Sequence, residues 1–170
     1  MKKATKFLAL AIAMVAFTVS TYGQVSATAT ASATIITPIT ITKTTDMNFG
    51  NVAVNATAGT VVLATDNSRS VTGGCTLPAT AGTVAAAAFD VTGVPSATFS
   101  ITLPAGATTI TSGANTMTVS NWTSSPTPTG TFDGTGAATL LVGATLNVSA
   151  SQAAGVYLSA TPFTVTVNYN

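Results

Sequence analysis

The sequence predicts an all-β chain, an antiparallel sandwich or barrel of about eight to ten short strands. Three observations carry that prediction. β-branched and aromatic residues recur at spacing two along most of the chain. Gly, Pro, Asn and Asp punctuate those runs at intervals of about 8 to 12 residues. No window holds a helical period: the best, Ala85-Ala86-Ala87-Ala88, is short and runs straight into Phe89-Asp90-Val91.

The elements follow in order. Val25, Ala27, Ala29, Ala31, Ala33 and Ile35 alternate with Ser and Thr, which reads as an extended strand. Pro38 interrupts it, because proline has no N–H to give a central ladder. Ile39 and Ile41 resume the same parity, and Met47 and Phe49 continue it. Gly50-Asn51 turns the chain into Val52-Ala53-Val54. The run from Thr60 to Thr65 is a compact strand, and Asp66-Asn67-Ser68 is a turn leading to Arg69-Ser70-Val71-Thr72. Ala87, Phe89 and Val91 share one face; Ala97, Phe99, Ile101 and Leu103 share the next. Thr116 to Val119 form a further strand, and residues 124–130, with Pro126 and Pro128, read as a loop. Thr139 to Val148 is a long strand bent or bulged at Gly143. Phe163, Val165, Val167 and Tyr169 alternate with polar residues at the end. The pattern turns apolar side chains inward and leaves threonine, whose β-branch suits the pleat, on the outside.

The start of the chain is set apart. Lys2, Lys3 and Lys6 precede an unbroken apolar run from Phe7 to Phe17, and small or polar residues follow up to Gly23. That order is a secretory signal peptide over residues 1–23, with cleavage after Gly23 and Ala27 as the alternative position. The apolar run is 11 residues, short of the roughly 20 a membrane-spanning helix needs. A membrane anchor is therefore the weaker reading, and the mature chain is expected to hold no transmembrane helix. Residues 24–170 are then one domain, large enough to bury a core without metal or disulfide. The chain is expected outside the cell or on its outer surface.

In that mature chain Lys43 and Arg69 face Asp46, Asp66, Asp90 and Asp133, a net charge of −2. No basic patch exists to neutralise phosphates, so nucleic acid is not an expected partner. Polarity rests on neutral side chains, with 33 threonines after residue 23. Cys75 is the one cysteine and cannot close an internal bridge.

Asp46-Met47-Asn48-Phe49-Gly50-Asn51-Val52 resembles the opening motif of an uncharacterised family of secreted bacterial proteins. Phe89-Asp90-Val91-Thr92-Gly93, Phe99-Ser100-Ile101-Thr102-Leu103-Pro104, Val142-Gly143-Ala144-Thr145-Leu146, Gln152-Ala153-Ala154-Gly155-Val156-Tyr157 and the closing Phe163-to-Tyr169 run occur in that family's order. The match spans roughly residues 30 to 170. The layout is similar to spore coat protein U-like proteins and chaperone–usher fimbrial subunits. The resemblance implies an immunoglobulin-like, pilin-like sandwich and a surface or fimbrial role, with no catalytic residues. Pilins of that type often carry a disulfide, which this chain lacks.

The chain contains no histidine and no glutamate. A Ser-His-Asp or Cys-His arrangement is therefore excluded, and zinc lacks its usual ligands. No enzymatic activity and no cofactor are expected. Calcium at Asp66-Asn67-Ser68 or Asp133-Gly134 is a weaker alternative, since turn chemistry accounts for both. Two functional readings remain. In the first, the protein is a structural or adhesive surface subunit that polymerises with itself or other subunits by strand addition. Residues 24–37, carrying Val25, Ala27, Ala29, Ala31, Ala33 and Ile35, are then a donor strand; the alternative is the domain's own first edge strand. In the second, the protein is an extracellular module binding glycan or another ligand, with Trp122 stacking on a sugar face. The competing role for Trp122 is a core residue capping the sandwich edge.

Overall fold

The computed structural model describes residues 23–170. The signal peptide expected over residues 1–23 lies outside them apart from Gly23. The chain divides into two units, residues 1–35 and residues 36–170.

In the first unit, residues 23–35 form no strand and every one is exposed, Val25 at 96% and Ile35 at 93%. The domain's own first edge strand, the alternative expected over residues 24–37, is absent from the described sheets. The reason is energetic. Fixing a residue's backbone costs about 1–2 kcal/mol, and a buried methyl returns about 0.8 kcal/mol. Four alanines in alternation do not offset that cost without a partner strand.

The second unit is all-β and antiparallel throughout, with twelve strands where eight to ten were expected. They are β1 (Thr40–Thr45), β2 (Asn48–Phe49), β3 (Ala53–Leu63), β4 (Arg69–Thr76), β5 (Val84–Ala85), β6 (Ala87–Thr92), β7 (Thr98–Thr102), β8 (Thr108–Ser112), β9 (Asn115–Ser125), β10 (Thr129–Thr131), β11 (Ala137–Val148) and β12 (Thr166–Tyr169). The excess comes partly from β2 and β5, two residues each, which pair only with one another. β8, which the sequence reading did not mark, pairs with β9 from Thr108 to Ser112. β10 starts inside the stretch read as a loop.

β11 organises the large sheet. On one edge it pairs with β9, from Leu141↔Ser125 to Asn147↔Thr118. Its other edge is shared in sequence by two strands. β6 holds it from Ala137 to Val142, and β3 takes over from Ala144 to Val148. The hand-over falls at Gly143, where a Cβ would run into the carbonyl oxygen of Leu63 at the end of β3. β1 extends the sheet beyond β6, β4 beyond β3 and β8 beyond β9. A second sheet has the order β10-β7-β12.

The core lies in two clusters. In the first, Phe99, Phe132, Val165 and Val167 pack with Ala87, Phe89, Val91, Leu140 and Val142 of β6 and β11. In the second, Val61, Cys75, Val119, Ala144, Leu146 and Val148 are covered by Phe49, Val52 and Val71, among others. Met47 and Trp122 touch both clusters. Phe99, Leu63, Leu140, Val61, Val91 and Val142 are the largest fully buried side chains, each contributing about 1.5–3 kcal/mol. Gly130 sits opposite Phe99 in the β7–β10 pair, and a Cβ there would overlap the Phe99 ring.

Candidate functional site

The chain enters the sandwich through residues 36–39 and is fastened there from the far end of the sequence. Tyr169, on β12, donates its hydroxyl proton to the Thr37 carbonyl at 2.8 Å. The Tyr169 hydroxyl oxygen in turn accepts the Val94 N–H at 2.8 Å. The Tyr169 ring meets Phe132 edge-on, with centroids 6.2 Å apart. Gly93 makes the fit: a Cβ on it would lie 2.6 Å from the Tyr169 oxygen and 2.8 Å from ring carbons of Phe132. One phenol thus ties the approach to β1, the β6–β7 turn and the last strand together. In the sequence Tyr169 is only the last of the alternating residues that close the chain, and nothing local signals its partners 132 and 75 residues away.

The strand edges come next. β1 and β4 end two arms of the large sheet, and β10 and β12 flank the small one. β8 is partly closed by Leu158, which exchanges backbone hydrogen bonds with Thr111 at 2.8 and 3.0 Å. Edge strands of soluble monomers are commonly guarded by charge, and the two cations among the described residues are both engaged. Lys43 of β1 pairs with Asp46 at 2.6 Å. Arg69 of β4 donates to the carbonyls of Phe49 and Asn51, at 2.5 and 3.0 Å.

That arginine fixes the Asp46-to-Val52 motif. Gly50 adopts a left-handed backbone, φ 68°, which glycine tolerates without a Cβ penalty. Its N–H donates to Asn48 Oδ1 at 2.8 Å. Asn51 reaches across to the 80–81 loop: its N–H donates to the Ala81 carbonyl at 2.7 Å and its Nδ2 to the Thr80 carbonyl at 3.1 Å. The motif is an architectural turn, and its most distinctive residues bond backbone.

Trp122, the candidate ligand contact, is half-buried. A bulge in β9 places it: Gly143↔Thr123 and Thr145↔Ser120 leave one residue on β11 opposite two on β9. Asn121 takes a positive φ of 50° to make that bulge. The indole packs on Phe163, centroids 4.5 Å apart, and Nε1–H donates to the Gly106 carbonyl at 2.9 Å. The residue caps the junction of the two clusters.

The turn aspartates are occupied locally. Asp66 accepts the Ser68 N–H at 2.9 Å; Ser68, through side chain and backbone, lowers its pKa from the ordinary value. Oδ1 of Asp133 accepts from the Ala137 N–H (2.9 Å), the Thr135 hydroxyl (2.7 Å) and the Thr135 N–H (2.8 Å). Those bonds, that from Ala137 foremost, hold its carboxyl below the usual carboxylate range. Asp133 and Asp90 border an open depression of about 350 Å³ with Thr92, Ala137 and Thr139. Among the described residues, no three acidic, cysteine or histidine side chains converge as metal ligands. Cys75 is buried and unpaired, and burial pushes its thiol pKa up.

Residues 39–169 match the family model described as a domain of unknown function, DUF4402. The chain belongs to that family. No curated protein and no solved structure matches the DUF4402 chain. No helix among the described residues is long and apolar enough to cross a membrane.

Proposed function

We propose that this DUF4402 chain is an exported, non-enzymatic surface protein, structural or adhesive, that assembles by donating residues 25–35 as a strand to a neighbouring subunit. One observation carries the reading. A segment with strand alternation stands exposed and strandless immediately ahead of the sandwich. It has the pattern of a ladder strand and no ladder of its own. An incoming partner edge would satisfy its main-chain donors and acceptors and seat its odd-numbered side chains. The fold supplies edges whose cations are committed elsewhere.

The energetics suit reversible or multiply supported assembly. Ile35 contributes about 1.5–3 kcal/mol on burial and each alanine methyl about 0.8 kcal/mol. Main-chain hydrogen bonds therefore carry most of the affinity and side chains set the register. The packing of Trp122 on Phe163 and its bond to Gly106 favour assembly over sugar stacking by that indole.

Deletion of residues 24–35 tests the proposal. The shortened chain is expected to keep its β-rich far-ultraviolet spectrum and its unfolding midpoint while losing higher oligomers in sedimentation and electron microscopy. A shortened chain that still assembles, or a full mature chain that stays monomeric at high concentration, refutes strand donation.

A further inference from the structure

We propose that Gln24 becomes the N-terminal residue of the exported chain and closes to pyroglutamate, giving a neutral, blocked end to the assembly segment. The inference rests on the export reading above and adds a modification site to it.

The local structure is open to this chemistry. Gly23 and Gln24 are exposed and lie outside any strand, and a Cβ built on Gly23 meets nothing within 4 Å. A peptidase therefore has an exposed, uncrowded bond to cut between them. Cleavage leaves the Gln24 α-amine and the side-chain carboxamide on one residue. The unprotonated amine attacks Cδ, the new N–Cδ bond closes a five-membered lactam, and the Cδ–Nε2 bond breaks. The departing nitrogen takes the amine's proton and leaves as ammonia. No oxidant, reductant or further reactant is consumed. Holding both groups on one side chain makes the step effectively unimolecular, and the α-amine, with a pKa near 7.7–8.0, supplies free base around neutral pH. Gln152 makes the contrast. Its nitrogen lies inside the chain as a peptide, and its Nε2 donates to Tyr157 Oη at 2.8 Å.

The consequence bears on assembly. From Gln24 to Thr42 the sequence holds no Asp, Glu, Lys or Arg. The terminal ammonium is thus the single charge of those 19 residues. A charge carried into a partner's sheet must be paired or kept in water, and the lactam removes it. The closed ring also denies aminopeptidases a free amine on an exposed segment.

The test is intact-mass and N-terminal sequencing of the full chain recovered after export, beside a Gln24→Ser variant. The expected wild-type mass is one ammonia below that of residues 24–170, with a blocked terminus that pyroglutamate aminopeptidase reopens at Val25. The variant is expected to start at residue 24 with a free amine. Wild-type chain reading Gln-Val-Ser from a free amine refutes cyclisation while leaving export standing. Chain that keeps residues 1–23, or begins elsewhere, refutes the cleavage on which the proposal rests.

Discussion

Tyr169→Phe removes one oxygen and tests the clasp at the chain entry. The oxygen makes two hydrogen bonds, one donated to the Thr37 carbonyl and one accepted from the Val94 N–H. A neutral hydrogen bond contributes about 0.5–1.5 kcal/mol net. Thr37 is exposed and its carbonyl regains water, whereas Val94 is half-buried and its N–H loses its acceptor. The loss is therefore about 1–2 kcal/mol, or about 3–6 °C in Tm for a domain of this size. Urea titration should show a lower midpoint at unchanged slope, since the folded surface is unaltered. Hydrogen exchange should quicken at the Val94 amide. Gly93→Ala supplies the second arm of a double-mutant cycle, because its methyl would lie 2.6 Å from the same oxygen. Removing the hydroxyl relieves part of that clash, so the double variant should lose less than the sum of the two by at least about 0.5 kcal/mol. An unchanged midpoint with slow Val94 exchange, or strictly additive losses, would refute the clasp.

Four further outcomes are expected. Leu140→Ala, at a fully buried position, should cost about 2–5 kcal/mol by denaturation, while Thr139→Ala on the exposed face should stay within about 0.5 kcal/mol. Trp122→Ala should lower the unfolding midpoint and loosen both clusters, read as new exchange at Val119 and Leu140; a stable variant with unchanged exchange would contradict its capping role. Asp133→Ala should destabilise at neutral pH. Because the folded carboxyl titrates below its unfolded value of about 3.9, that difference should hold above about pH 4 and vanish as pH falls through the folded pKa, followed by urea melts across pH. Cys75, desolvated and with its pKa raised, should react with a thiol reagent at least about tenfold slower in the native state than in denaturant.

The sequence made legible what depends on alternation alone. Ala87, Phe89 and Val91 do share a buried face, as do Val165 and Val167, because side chains two apart on a strand point the same way. A ladder irregularity does fall at Gly143, but the extra residue belongs to β9, not β11, and the role of Gly143, passing one edge of β11 from β6 to β3, is a matter of long-range pairing. β8 escaped notice because Thr108 to Ser112 holds one large apolar residue, Ile110, and its strandedness comes from β9. Residues 27–35 show the opposite failure: period two was visible, but a pattern of alanines specifies a face without the burial to hold it. Trp122 could be assigned to a core-capping role or a ligand role from sequence, and only the packing of Phe163 separates them. Tyr169 and Arg69 were out of reach, because both act by bonding backbone remote in sequence.

β11 has a consequence for how the domain comes apart. Each hydrophobic cluster draws part of its lining from the same twelve-residue strand, so neither can melt and leave the other with its wall intact. Residues 36–170 should lose structure in a single cooperative step, with calorimetric and van't Hoff enthalpies in agreement. A domain of that kind unfolds without populating half-open forms that expose one cluster alone.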